Sequence, residues 1–396
     1  MTENYVEKEE GVPLIRNGNI RCNKIDVNGI VFLDKRFAEK NKHRQLHTGQ
    51  IATVHTGDVG TSIVIPEEYD GCLGFATIQS TPYKGVSSEF LCWFYNSAAF
   101  KNQCIECSTG DGRQNLNLYD FVDLFVAIPK YDLQSKIASF LDKKCAEIDS
   151  LHTDIERQIE TLEEYKKQII TEAVTKGLDP DVEMKDSGIS VYDKLPITWN
   201  LCRIKDCCQI VRGGSPRPIN NYMSDNQDDI NWIRISDTTK GHKYIDRTEQ
   251  KIKKLGMSSS RLVHKGDLLL TNSMSFGQPY ILNIDGCIHD GWLAFSQYKN
   301  ISKEFLFYTL MSELCAMQFV LSVSGSVVVN LNIDKVGETK IFIPNMEKQK
   351  EIVSYLDNIL ADINDVIEEK KEQLETLEQY KESLIYEYVT GKKEVK

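Results

Sequence analysis

The chain has 396 residues, 27% of them charged, and a net charge of −11. That length allows two or three domains, and that charge excludes a protein that coats nucleic acid through bulk positive charge. No apolar run approaches the roughly 18 residues a bilayer span needs, and the acidic, polar start is unlike a signal peptide, so no membrane partner is expected.

Taken in order, residues 1–127 hold short apolar runs such as Ile30–Leu33, Ile51–Val54 and Thr61–Ile65, broken by Gly, Asp and Asn. This pattern predicts a β-rich mixed domain. Residues 128–175 open on Ile128-Pro129 and then contain no further proline and no glycine. Proline suits a first-turn position, where its missing N–H is not needed. Leu141, Ile148, Ile155, Leu162 and Ile169 recur every seven residues, with Leu151 and Tyr165 three further on. That is a heptad, which predicts one long helix with a helical partner. Residues 176–188 read as a polar linker punctuated by Gly177, Pro180 and Gly188. A second mixed region spans 189–342, and a second helix with a short tail spans 343–396. In the latter, Leu356, Ile363, Leu377 and Leu384 keep the beat, with Val366 and Tyr380 beside them.

The two helices are copies. Ile128 aligns with Ile343 and Val174 with Val389 at one constant shift, 343 − 128 = 389 − 174 = 215, without a gap. Both carry Gln-x-Glu-Thr-Leu-Glu-x-Tyr-Lys. The repeat continues through the globular regions: Gly49 aligns with Gly266, Asp70-Gly71-Cys72 with Asp285-Gly286-Cys287, and Asn115-Leu116-Asn117 with Asn330-Leu331-Asn332. The expected fold is therefore α+β, a tandem duplication of a domain followed by a long helix, with the helices packed antiparallel as a coiled coil.

Leu195-Pro196 with Trp199, Gly213-Gly214-Ser215-Pro216, Trp232-Ile233-Arg234, Gly266-Asp267-Leu268 and the paired helices together resemble the specificity subunit of type I restriction–modification systems. The resemblance covers nearly the whole chain. It implies two target-recognition domains on a helical frame, binding to double-stranded DNA at a two-part target, and two methyltransferase subunits as partners. Restriction subunits join the full complex. It also implies that methyl transfer with S-adenosylmethionine, and cleavage with ATP and Mg²⁺, belong to those partners, so the chain needs no cofactor. Side-by-side helices would act as a ruler, fixing the spacer between the two halves of the target. One departure stands out. Arg16 aligns with Arg234, a shift of 234 − 16 = 218, so the first domain lacks a counterpart of Leu195 to Pro218.

Reading DNA requires donors for phosphates and a few side chains that reach base edges. In the second domain the candidates are Arg212, Gly213, Ser215, Arg217, Arg234, Lys240, Lys243, Tyr244, Ser273 and Ser275. The glycine loop is expected to let backbone approach DNA closely, and Arg234 alternatively pairs with a carboxylate inside the fold. In the first domain the candidates are Arg16, Asn17, Arg44, His55 and Arg113. Each alone could equally be an ordinary surface residue; the group carries the reading. Apolar residues beyond one seam, Ile137, Phe140 and Ile170 with Ile352, Tyr355 and Ile385, are expected to form two equivalent docking sites for the methyltransferase. No Pro-Pro methylation motif, Walker loop or defensible catalytic constellation is found. Eleven cysteines include one CxxC, Cys104 to Cys107, with no second pair at zinc spacing. Reduced thiols in a cytoplasmic protein are expected. A coiled-coil adaptor without DNA binding is the competing reading.

Overall fold

The computed structural model describes residues 2–110, 112–189, 192–239, 241–272, 276–323 and 330–395. The chain forms two compact units, Met1–Arg157 with Lys370–Lys396 and Gln158–Glu369. The long helices span Tyr131–Lys176 and Met346–Val389. Each unit thus holds one globular region and a part of both helices.

In the first unit a five-stranded sheet has the order Tyr5–Val6, Val31–Asp34, Gly11–Arg16, Cys72–Phe75, Gln45–Leu46. Only the Gly11–Arg16 and Cys72–Phe75 pair is parallel. Strands Thr77–Ser80, Ile51–Val54 and Ser62–Val64 form a second, antiparallel sheet. Ile51–Val54 is buried along its whole length, and an aromatic cluster of Phe90, Trp93, Tyr95, Phe100 and Phe121 packs toward the helices. The second unit repeats this plan. The parallel pair becomes Ile230–Ile233 with Gly286–Ile288, inside a sheet of five. Its other sheet is also five-stranded, in the order Gln209–Arg212, Trp292–Ser296, Leu268–Thr271, Pro279–Leu282, Tyr244–Ile245. An additional antiparallel pair joins Asn200–Arg203 to Lys340–Ile343.

Within each unit the two helices pack antiparallel. In the first unit Ile137, Leu141, Cys145 and Ile148 lie in one core with Leu384, Ile385 and Val389; in the second, Ile169, Ile170, Ala173 and Val174 lie with Ile352, Leu356, Leu360, Ile363 and Ile367. The heptad phase differs from the expected one. The expected flankers Leu151, Tyr165, Val366 and Tyr380 are exposed. The seam instead adds the residue four, not three, positions on, namely Cys145, Ile159, Lys166 and Ala173, then Leu360, Ile367, Leu374 and Lys381. Two of these positions are lysines, which hid the seam from a purely apolar pattern. Each lysine reaches across it: Lys166 donates to Asn364 in the second unit, and Lys381 to Asp149 in the first. Since 364 − 149 = 381 − 166 = 215, these are the same contact made twice. A polar seam position of this kind pins register.

Other contacts repeat at the same shift. Gln134 and Gln349 are buried at the start of each helix. The Gln134 side chain accepts from the Ser87 N–H and donates to the carbonyls of Gly85 and Pro129; Gln349 does so with Ser302, Asn300 and Pro344. Pro129 and Pro344 therefore lie just outside the helices as anchors, not in the first turn, and Gln134 and Gln349 take their first helical bonds from Lys130 and Asn345. Asp142 accepts from the Trp93 indole, and Asp357 from the Tyr308 hydroxyl. Ser87 and Ser302 cap their helices through Phe90 and Phe305 N–H groups. Buried polar groups satisfied in this way are costly to remove, about 1–3 kcal/mol for each orphaned partner, which makes these contacts the staples of the fold. All eleven cysteines are unbridged. Among the described residues no single helix is long and apolar enough to cross a membrane, and no three His, Cys, Asp or Glu side chains could hold a metal ion.

Candidate nucleic-acid interface

In the second unit three of the candidate residues converge on one carboxylate. Strand Gln209–Arg212 ends at the loop beginning with Gly213, and strand Gly286–Ile288 ends at the His289–Gly291 turn. Asp290 in that turn accepts from the Ser215 hydroxyl at 2.7 Å and faces Arg217 at 3.4 Å. Its backbone carbonyl accepts from Arg212 Nε and Asn272 Nδ2, both at 2.9 Å. The Ser215 hydrogen bond, with the Arg217 and His289 side chains nearby, lowers the Asp290 carboxyl from its ordinary value. Burial lowers His289, so the imidazole beside Asp290 favours its neutral form. Arg212 and Arg217 remain exposed and are held in place by a fixed anion. Two oriented guanidiniums on a rigid loop are suited to phosphate oxygens or a guanine edge.

The glycines of this loop play a different part from the one expected. A side-chain carbon at Gly213 would lie 2.0 Å from the His289 carbonyl oxygen, and one at Gly214 would lie 2.9 Å from that of Ser259. Gly213 N–H donates to Trp292 and Gly214 N–H to Ile288. The absence of side chains lets the loop lie against its own fold, leaving no gap for a ligand's backbone.

Other candidates are engaged internally. Arg234 donates to Glu249 at 2.9 Å while its backbone N–H is held by Asp237, so it takes the alternative role of an internal ion pair. Its Nε is buried without a partner among the described residues. Lys243 contacts the Asp357 carboxylate and sits 4.9 Å from the Tyr308 ring centre, which commits it to packing on the helix. Tyr244, on the edge strand Tyr244–Ile245, is half exposed. Lys240, Ser273 and Ser275 lie outside the described residues.

The first unit gathers a smaller polar group. Asn17 Nδ2 donates to the Thr56 carbonyl at 2.9 Å, Thr56 Oγ1 donates to Asn115 Oδ1 at 3.0 Å, and His55 Nδ1 lies 2.9 Å from the same hydroxyl. Arg113 is exposed on the turn closed by the Thr109–Asn115 bridge. Arg16 is tied to the Gly29 carbonyl, and Arg44 lines a separate shallow recess with Phe37, Asn41 and Phe75. The residues missed from sequence are the organisers, Asp290, Asn272, Thr56 and Asn115. Asn272 and Asn115 had surfaced as part of repeated motifs, but nothing local marks an aspartate as the holder of two distant arginines.

The expected docking residues on the helices lie elsewhere than on a free surface. Ile137, Ile170, Ile352 and Ile385 are buried in the core of their own unit, because the globular region covers the flank of the helix pair. Phe140 stacks on Tyr388 at 4.4 Å. Only Tyr355 is substantially exposed.

A family model for the type I restriction modification DNA specificity domain matches residues 2–161 and 196–376. The chain belongs to this family. Its role is DNA sequence specificity in a restriction–modification system, and, as a specificity subunit, it carries no catalysis of its own. Among similar proteins, the type I restriction enzyme MjaVIII specificity subunit of Methanocaldococcus jannaschii is 24% identical over 77% of this chain and 70% of that protein. The EcoKI specificity subunit of Escherichia coli is 26% identical over 68% of this chain and 56% of its own length. A chain from a type I R-M system, solved to describe its complex assembly and conformational transition, superposes with a TM-score of 0.76 at 15% identity, covering 98% of this chain and 95% of that one. The HsdS subunit from Thermoanaerobacter tengcongensis gives 0.53, also at 15% identity, over 98% and 93%. At such identity these two likenesses concern the fold.

Proposed function

We propose that each unit reads one part of a two-part duplex target, and that the helices dock two methyltransferase subunits, with restriction subunits joining the full complex. One observation carries the reading. The staples repeat at a single shift, while the loops that would face DNA do not: Arg212, Ser215 and Arg217 around Asp290 in one unit, Asn17, His55 and Thr56 in the other. A constant frame with unlike loops suits two readers of different sequence. In the second unit Arg212 and Arg217 contact DNA, with Tyr244 beside them; in the first, Arg113 and the His55 group do so.

The docking sites are assigned to the exposed apolar residues of the helices. The first unit presents Leu151 and Tyr380, the second Tyr165 and Val366, each between 41% and 54% exposed. Since 366 − 151 = 380 − 165 = 215, they are equivalent positions, and Tyr355 adds to the second set. Paired sites fit two copies of one partner. Duplex affinity across a salt series tests the reading against a coiled-coil adaptor. A DNA reader loses affinity steeply with rising salt as phosphate contacts release counterions; an adaptor shows no saturable binding at any salt.

A further inference from the structure

The strand Lys340–Ile343 of the second unit is covered by Asn200–Arg203, and Ile341 and Phe342 are fully buried beneath it. Its equivalent in the first unit, at the shift of 215, is Phe125–Ile128. The two segments are held alike on one side. Gln318 brackets the backbone of Lys340, donating to its carbonyl and accepting from its N–H, and Gln103 brackets Phe125 in the same way. On the other side they differ. No strand lies opposite Phe125–Ile128 among the described residues, and the backbones of Val126 and Ile128 make no hydrogen bond there. Antiparallel pairing alternates, so with Phe125 turned toward Gln103 the open edge belongs to Val126 and Ile128. Phe125 is 83% and Ile128 51% exposed, and the neighbouring Tyr119 and Val122 are exposed as well.

We infer that this edge is a docking slot for a β-strand from another polypeptide, apolar in its middle and ending in arginine or lysine. Charge complementarity names the occupant. In the second unit the Glu338 carboxylate receives Arg203 and Lys205 from the covering segment. Its equivalent, Asp123, is exposed and has no ion pair among the described residues. A cation entering opposite Phe125 would meet Asp123 as Arg203 meets Glu338. The length is set too. A carbon added at Gly337 would lie 3.2 Å from Lys205 Cβ, and the first unit carries Val122 at that position. The strand that fits therefore stops short of a residue equivalent to Lys205. Main-chain pairing supplies affinity in such strand addition, and the alternate side chains supply selectivity. This inference stands apart from the DNA reading and does not depend on it.

The probe is a synthetic peptide with the sequence of residues 196–204, blocked at both ends, added to the full chain. Fluorescence anisotropy and amide hydrogen exchange are read together. Saturable one-to-one binding is expected, with slowed exchange confined to residues 124–128. Asp123→Lys should weaken binding about three- to fivefold, the scale of an exposed ion pair, and a peptide carrying Arg203→Glu should recover it. A peptide with Cys202→Pro, which removes a pairing N–H, should not bind. Lack of saturable binding, protection that falls elsewhere, or a proline peptide that binds as well as the parent would each overturn the inference.

Discussion

Opposite Lys340–Ile343 the second unit places Asn200–Arg203; opposite Phe125–Ile128 the described residues of the first unit place nothing. The same contrast recurs one layer away, where Gln209–Arg212 extends a sheet of five in the second unit and the matching sheet of the first has three strands. Yet the helices, the buried glutamines and the crossing lysines are alike in both. The difference separates two kinds of contact. Those between globular region and helix define the unit and are present twice. Those of the outer strands add area and, in the second unit, carry the loop from Arg212 to Arg217 on which the arginines sit. A unit without those strands keeps its frame but has to build its reading surface from other loops, as the His55 group does.

The largest effect is expected from exchange of a whole reader. Replacing residues 195–340 with the corresponding region of another family member should change one half of the methylated target completely and leave the other half unaltered, as read by methylome sequencing. A change in both halves, or in neither, would break the division between frame and reader. Next come the staples. Gln349→Leu and Gln134→Leu each orphan an N–H and two carbonyls, so each should destabilise its unit by about 2–4 kcal/mol. Thermal unfolding should show similar losses for both; a much smaller loss for Gln134→Leu would mean that the first unit is not held by the same frame.

Smaller effects come from the Asp290 cluster. Asp290→Asn should leave the fold intact and lower duplex affinity about three- to tenfold, by loosening Arg217 and Ser215 together. The sign of its pH dependence follows from the lowered carboxyl. Stabilisation by Asp290 is present above the ordinary aspartate value of 3.8 and is lost as pH falls below it, so wild type and Asp290→Asn should converge in stability only in acid. Smallest is Arg217→Ala. If Arg217 contacts a phosphate, affinity should fall uniformly across sequences and the salt slope should drop by about one. A loss confined to one sequence would instead sharpen the picture by making Arg217 a base reader.

Much of this was legible from residues alone. The constant shift of 215 exposed the duplication, and the missing counterpart of Leu195 to Pro218 foretold which unit has the barer edge. The heptad phase was misread because Lys166 and Lys381 occupy seam positions, where their stems pack and their ammonium groups cross to the other helix. Gly213 and Gly214 resembled a ligand loop because sequence shows that a side chain is excluded, not what excludes it; here it is the backbone of His289 and Ser259. Asp290 was invisible since its partners are some 75 positions away. The isoleucines assigned to a partner were apolar in the right rhythm, but only the fold reveals that the globular regions already cover them.

The account rests on each unit reading its own part of the target. The most direct test is the methylome of cells that express this chain with its cognate methyltransferase subunit. The account predicts one modified motif made of two short parts divided by unspecified bases. An uninterrupted motif, or a genome left unmodified, would contradict it.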